Sequence, residues 1–173
     1  MCPVPVAASN AATPETRHSS GGRGVRFTLI SAVTAAVAAF LVAAAGLPPW
    51  AMFVGWVTWF LRPTAVRQGA HSVACLWAGM ALGMAAQFLI GLLAPTVGPA
   101  ALPVTVVVVA SIVVGLRSTP VLDTPLAWFL GLISTFALHA DEPLSGLLAL
   151  AAASAVGAAA ALACQWLQRQ FSS

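Results

Sequence analysis

The stretch WAMFVGWVTWF, Trp50 to Phe60, stands between Pro48-Pro49 and Arg62-Pro63, and a diverged copy, AWFLGLISTF, returns 76 positions later at Ala127 to Phe136. In that register Pro49 pairs with Pro125, Ala51 with Ala127, Phe53 with Phe129, Gly55 with Gly131, Thr58 with Ser134 and Phe60 with Phe136. As helices both copies are short, since about 12 to 15 residues rise only about 18 to 22 Å against about 30 Å of hydrocarbon. Short, proline-bounded apolar segments at matching places in two halves point to a solute pathway in a membrane protein.

The composition supports a chain in lipid. Of 173 residues, 60% are hydrophobic and 6% charged, with neither Lys nor Tyr. A soluble surface needs roughly 25–35% charged residues. There is room for about six helices, which excludes a sizeable extramembrane catalytic domain. The net charge of +3 rests on seven scattered arginines with no stripe or patch, which excludes a nucleic-acid surface. Cys2, Cys75 and Cys164 have no CxxC spacing and read as small packing residues, so no metal site and no cofactor are expected. Residues 1–25 lack an apolar signal core and read as a disordered cytoplasmic tail.

Along the chain the expected spans are Arg26 to Gly46, Pro49 to Leu61, Ala70 to Ala94, Ala100 to Leu116, Pro125 to His139, and Pro143 to about Trp166. Pro95 to Pro99 reads as a tight turn, and Asp123-Thr124-Pro125 and Asp141-Glu142-Pro143 read as helix starts. The expected fold is an all-α polytopic membrane protein with six transmembrane helices, the second and fifth short. Six crossings from a cytoplasmic N-terminus put all seven arginines inside and Asp141 and Glu142 outside, with both termini cytoplasmic. Three crossings per half turn the second upside down, giving inverted repeats at residues 26–94 and 95–168.

The repeat extends further at an offset of 78, where Gly79 matches Gly157, Ala81 Ala159, Ala85 Ala163 and Gln87 Gln165. Gly79-x-x-x-Gly83 and Gly157-x-x-x-Ala161 predict close packing of the third and sixth helices near a pseudo-two-fold axis.

No charged residue lies inside a predicted span, which argues against a proton- or sodium-coupled carrier and against an intramembrane enzyme. The remaining polar candidates are Thr58 beside Trp59 and Phe60, Ser134 and Thr135 beside Phe136, and Gln87 within the third helix. With Phe53 and Phe129 they are the candidate pore lining, a narrow waist with hydrogen-bonding stops. Backbone bonding by the hydroxyls and interfacial anchoring by the aromatics account for the same residues. His139 with Asp141 and Glu142 reads first as a set of capping and interfacial groups, with a pH-sensitive mouth as the functional candidate. Trp50, Trp59, Trp128 and Trp166 read as interfacial belt residues, and Trp56 and Trp77 as deeper packing.

At WAMFVGWVTWFLRP and again at FLGLISTF the chain resembles the small bacterial inner-membrane proteins grouped as the domain of unknown function 1097 family. The resemblance is carried by Trp50-Ala51, Phe53, Gly55, Phe60 and Pro63, then by Phe129, Gly131, Thr135 and Phe136, and covers roughly Ala32 to Trp166. It implies a polytopic protein of the bacterial inner membrane, and neither substrate nor activity. The residues themselves favour a homo-oligomeric channel or facilitator for a small neutral solute such as urea, a short amide or ammonia, with its path where the two short helices meet. The alternatives are a substrate-binding subunit of an uptake transporter and a non-transporting membrane scaffold.

Overall fold

The computed structural model describes residues 21–62, 65–116, 124–138 and 143–170. Among these, all regular structure is helical: α1 (Gly21–Ala44), α2 (Pro49–Phe60), α3 (Val66–Val97), a 3-10 turn (Gly98–Ala100), α4 (Ala101–Leu116), α5 (Pro125–Ala137) and α6 (Pro143–Gln170). By length and apolar composition, 24–44, 66–116 and 143–170 are long enough to cross a membrane, and α5 is shorter. The stretch 66–116 is a hairpin: Gly98, at φ +56°, donates its N–H to the Ala94 carbonyl and ends α3. Only glycine takes that backbone conformation without strain.

Several boundaries differ from expectation for local reasons. α1 begins at Gly21, inside the stretch expected as tail. The expected turn at Pro95 is still helix, because a proline in the last turn removes a single backbone bond and the chain folds back only at Gly98. Pro49, Pro125 and Pro143 do open α2, α5 and α6. Thr124 takes the N-cap position of α5, but its hydroxyl makes no cap bond and its carbonyl accepts the Ala127 N–H at 3.0 Å. Asp123 lies outside the described residues.

The packing of the two halves is exchanged. The main partner of α2 is α6, that of α5 is α3, and α1 and α4 lie outside these pairs. Glycines set both contacts. A Cβ at Gly55 would collide with the Ser154 backbone and one at Gly157 with the Met52 carbonyl. In the other pair, a Cβ at Gly131 would collide with the Leu76 carbonyl and one at Gly79 with the Trp128 carbonyl. The same offsets, 76 for the short helices and 78 for the long ones, carry each of the first contacts onto its counterpart. Gly79, Gly83 and Gly157 were expected to join α3 to α6. Their close approaches are instead to α5 and α2, because a glycine notch accepts whichever backbone lies nearest and the short helices occupy that place.

Helix directions follow from the contact register. Trp59 packs with Val73 and Met52 with Leu76 and Met80, so α2 runs antiparallel to α3. Trp128 meets Gly79 while Thr135 meets Gly83, so α5 runs with α3. α2 and α5 are therefore opposed in direction, and they touch. At one end of the bundle lie the start of α1, the end of α2, the start of α3 and the end of α6, which carry Arg26, Arg62, Arg67 and Arg169. Among the described residues the opposite end carries no charge.

The middle is packed with apolar side chains. Met52, Leu76, Met80 and Leu150 are fully buried together between α2, α3 and α6, and a second cluster joins Cys75, Ala86, Val113, Trp128 and Leu132 of α3, α4 and α5. The outer faces are apolar too, among them Phe27, Val33, Phe40 and Leu41 on α1 and Leu102, Val107, Ile112 and Val114 on α4. Apolar residues inside and out are what a lipid-embedded bundle presents. Trp59 and Trp128, expected at the interface, are buried, whereas Trp50 and Trp166 are exposed. The burial follows from the glycine notches, which draw the short helices inward.

Gly157→Ala is expected to force α2 off α6 at a cost of about 1–3 kcal/mol, the usual range for overpacking a filled core. Gly91→Ala, where nothing lies within 4 Å, is expected to hold stability or raise it by up to about 1 kcal/mol, since alanine is the better helix former. Thermal unfolding of the purified protein in detergent separates the two.

Candidate functional site

Two expected pore-lining residues come together in one small cleft. It has a cavity volume of about 30 Å³ and is lined by Met84 and Gln87 of α3, Thr135 and Leu138 at the end of α5, and Pro143, Leu147 and Leu150 of α6. That volume holds about two waters, each occupying roughly 10–15 Å³ on this measure. The cleft lies at the end of the bundle away from the described arginines, between the end of α5 and the start of α6. Fully buried Leu150 lines the cleft and belongs to the central apolar cluster.

Its polar wall has a backbone origin. α5 ends at Ala137, so its last carbonyls lack helical donors. The Gln87 side-chain amide donates to the Thr135 carbonyl at 2.8 Å and satisfies one of them. The Thr135 hydroxyl donates back to the Leu132 carbonyl at 2.7 Å. A polar group reaching this cleft thus meets a glutamine amide and a hydroxyl oxygen amid methionine and leucine. No charged side chain is among the residues that line it.

The other expected lining residues are placed differently. Thr58 and Ser134, at matching positions, are buried and donate to the Val54 and Leu130 carbonyls, each at 2.7 Å. Their hydroxyls are consumed by their own helices, as serine and threonine in apolar helices commonly are. The waist expected at these two hydroxyls is therefore a packed contact. Phe53 and Phe136 face outward, at 49% and 42% exposure. Phe60 packs against the cluster of Trp59, Val73, Ala158 and Ala161, with its ring 6.1 Å from that of Trp56, and Phe129 packs against the α3–α4–α5 cluster. Trp59 donates its indole N–H to the Gln165 side-chain oxygen at 3.3 Å, at the arginine-bearing end. His139, Asp141 and Glu142 lie outside the described residues.

Sequence reading missed the contribution of α6 to the cleft. Leu147, Leu150 and Pro143 are ordinary residues in an alanine- and leucine-rich helix, and only the exchanged packing places them opposite Gln87. Two further polar contacts were equally silent: Trp77 donates to the Ser154 hydroxyl at 3.1 Å, and Gln168 donates to the Ser31 hydroxyl at 3.0 Å, tying α1 to α6. Among the described residues no group of three His, Cys, Asp or Glu side chains is placed to hold a metal.

A family model described as protein of unknown function (DUF1097) matches residues 28–169. No curated protein and no solved structure matches the chain.

Replacing Gln87 by Leu leaves the Thr135 carbonyl without its side-chain donor next to an apolar wall. The expected cost is about 0.5–1.5 kcal/mol, the net worth of a hydrogen bond whose acceptor can turn to water in the cleft. Chemical or thermal unfolding in detergent measures it, and the outward-facing Phe53→Leu is expected to fall well below that range.

Proposed function

The chain belongs to the DUF1097 family, whose description names no activity, and from the geometry we propose a membrane facilitator for a small neutral solute. The solute class is that of urea, short amides and ammonia. The observation that carries the reading is the uncharged polar cleft at Gln87 and Thr135, set at one end of a bundle whose two short helices oppose each other. Solute enters at that cleft rather than between the hydroxyls of Thr58 and Ser134. Passage then requires the side chains of Met80, Leu150, Met52 and Leu76 to part, and methionine is the most adaptable of core residues.

The paired contacts at constant offsets support an inverted repeat of three helices each, crossing the membrane six times. The arginines gathered at one end support placing that end, and both termini, on the cytoplasmic side of a bacterial inner membrane. Apolar outer faces, including Phe53 and Phe136, are suited to lipid or to further copies of the chain in a homo-oligomer. A role in transport, with no catalysis, fits spans whose interior is uncharged.

A binding subunit for a vitamin-sized ligand would need a site other than this cleft, whose volume of about 30 Å³ falls far below the roughly 300–1,000 Å³ of such sites. The scaffold reading is favoured by one observation, the filled centre. Stopped-flow permeability of proteoliposomes to urea, acetamide, glycerol and ammonia decides between facilitator and scaffold. Flux above protein-free liposomes for at least one solute, slowed by a bulky Thr135→Trp, is the expected result. Flux equal to protein-free liposomes for all four would leave the scaffold.

A further inference from the structure

The offsets that relate the two halves carry the cleft onto a second place, at the arginine-bearing end. The lining positions Leu138, Pro143 and Leu150 map to Arg62, Ala65 and Ser72, while Gln87 maps to Gln165, Met84 to Leu162, Thr135 to Trp59 and Leu147 to Gly69. Gln165, Leu162, Trp59 and Gly69 are gathered there. The Trp59 indole donates to Gln165 at 3.3 Å, and Leu162 packs against the cluster that contains Trp59. The ring lies so flat on Gly69 that a Cβ there would come within 2.8 Å of two of its carbons.

The differences between the two places compensate in volume. Where the open cleft has a threonine facing a leucine, the second place has a tryptophan facing a glycine, so the indole occupies the space left by the missing side chain. Trp59 is 6% exposed. The glutamine is kept in both places, and its partner is the aromatic N–H in one and the helix-end carbonyl in the other.

We propose that Trp59 is the plug of a second solute cleft, pseudo-equivalent to the Gln87 cleft, built around Gln165 and closed by the indole. The second cleft takes the same class of ligand, a small neutral hydrogen-bonding molecule that replaces the indole N–H on Gln165. The indole restricts solute access at the arginine-bearing end and leaves the Gln87 cleft as the more open of the two. Only the consequence for flux rests on the facilitator reading, namely that Trp59→Thr raises solute permeability.

Solvent access tests the plug without any flux measurement. In full-length protein with Cys2, Cys75 and Cys164 replaced by Ala, single Met84→Cys and Leu162→Cys variants report the open and the plugged places. In detergent, where both ends meet water, 2-aminoethyl methanethiosulfonate is expected to modify Met84→Cys about tenfold faster than Leu162→Cys, because thiol exchange is limited by access. Adding Trp59→Thr is expected to bring Leu162→Cys close to the Met84→Cys rate, whereas Trp59→Phe, which keeps a ring over Gly69, leaves it protected. Equal rates at the two cysteines with Trp59 in place would overturn the proposal, as would continued protection of Leu162→Cys in folded Trp59→Thr protein. Should Trp59→Thr fail to fold, the comparison at native Trp59 and the Trp59→Phe arm still decide. The readout is access and not flux, so its outcome is independent of the liposome result.

Discussion

Backbone-to-backbone contact at four glycines is the constraint on which the rest of the structure depends. Gly55 and Gly157 let α2 settle on α6, and Gly131 and Gly79 let α5 settle on α3. In lipid there is no hydrophobic gain from joining two apolar helices, so close approach and dispersion must hold them together. Notches at these positions place two short helices at the centre of the bundle, bury Trp59 and Trp128 that would otherwise sit at an interface, and push α1 and α4 to the outside.

The cleft is a by-product of the same arrangement. A short helix that ends inside a bundle leaves its terminal carbonyls at depth, and each needs a donor. For α5 the donor at Thr135 is Gln87, and the space beyond the helix end is the cleft. At the end of α2 the space is occupied by Trp59 lying on Gly69. One packing plan thus builds two ends that differ in filling: threonine and leucine line the cleft at one, and tryptophan lies on glycine at the other.

Much of this was legible in the sequence, and the rest was hidden for definable reasons. The prolines at 49, 125 and 143 marked helix starts, and the match of Gly55 to Gly131 and of Gly79 to Gly157 singled out the residues that now prove to be contact points. What a linear repeat cannot state is which copy packs on which. The glycine pattern of α3 suits α6 and α5 equally: α3 does touch α6, and its tightest glycine approaches are to α5. Thr58 and Ser134 were correctly paired with each other, yet hydroxyl chemistry alone does not tell a bond to a ligand from a bond to a carbonyl four residues back. Gln87 and Thr135 were legible as polar residues in apolar surroundings, while the leucines opposite them carried no signal at all.

The exchange of partners between halves also bears on how the chain is made. α2 leaves the ribosome early, but the surface that receives it, around Ser154 and Gly157, is synthesised roughly a hundred residues later, after several seconds at about 5–20 residues per second. Until then the notch at Gly55 faces lipid or a transient occupant. Each half is therefore a half-built clasp, and the molecule closes only when its last helix arrives to engage the second one.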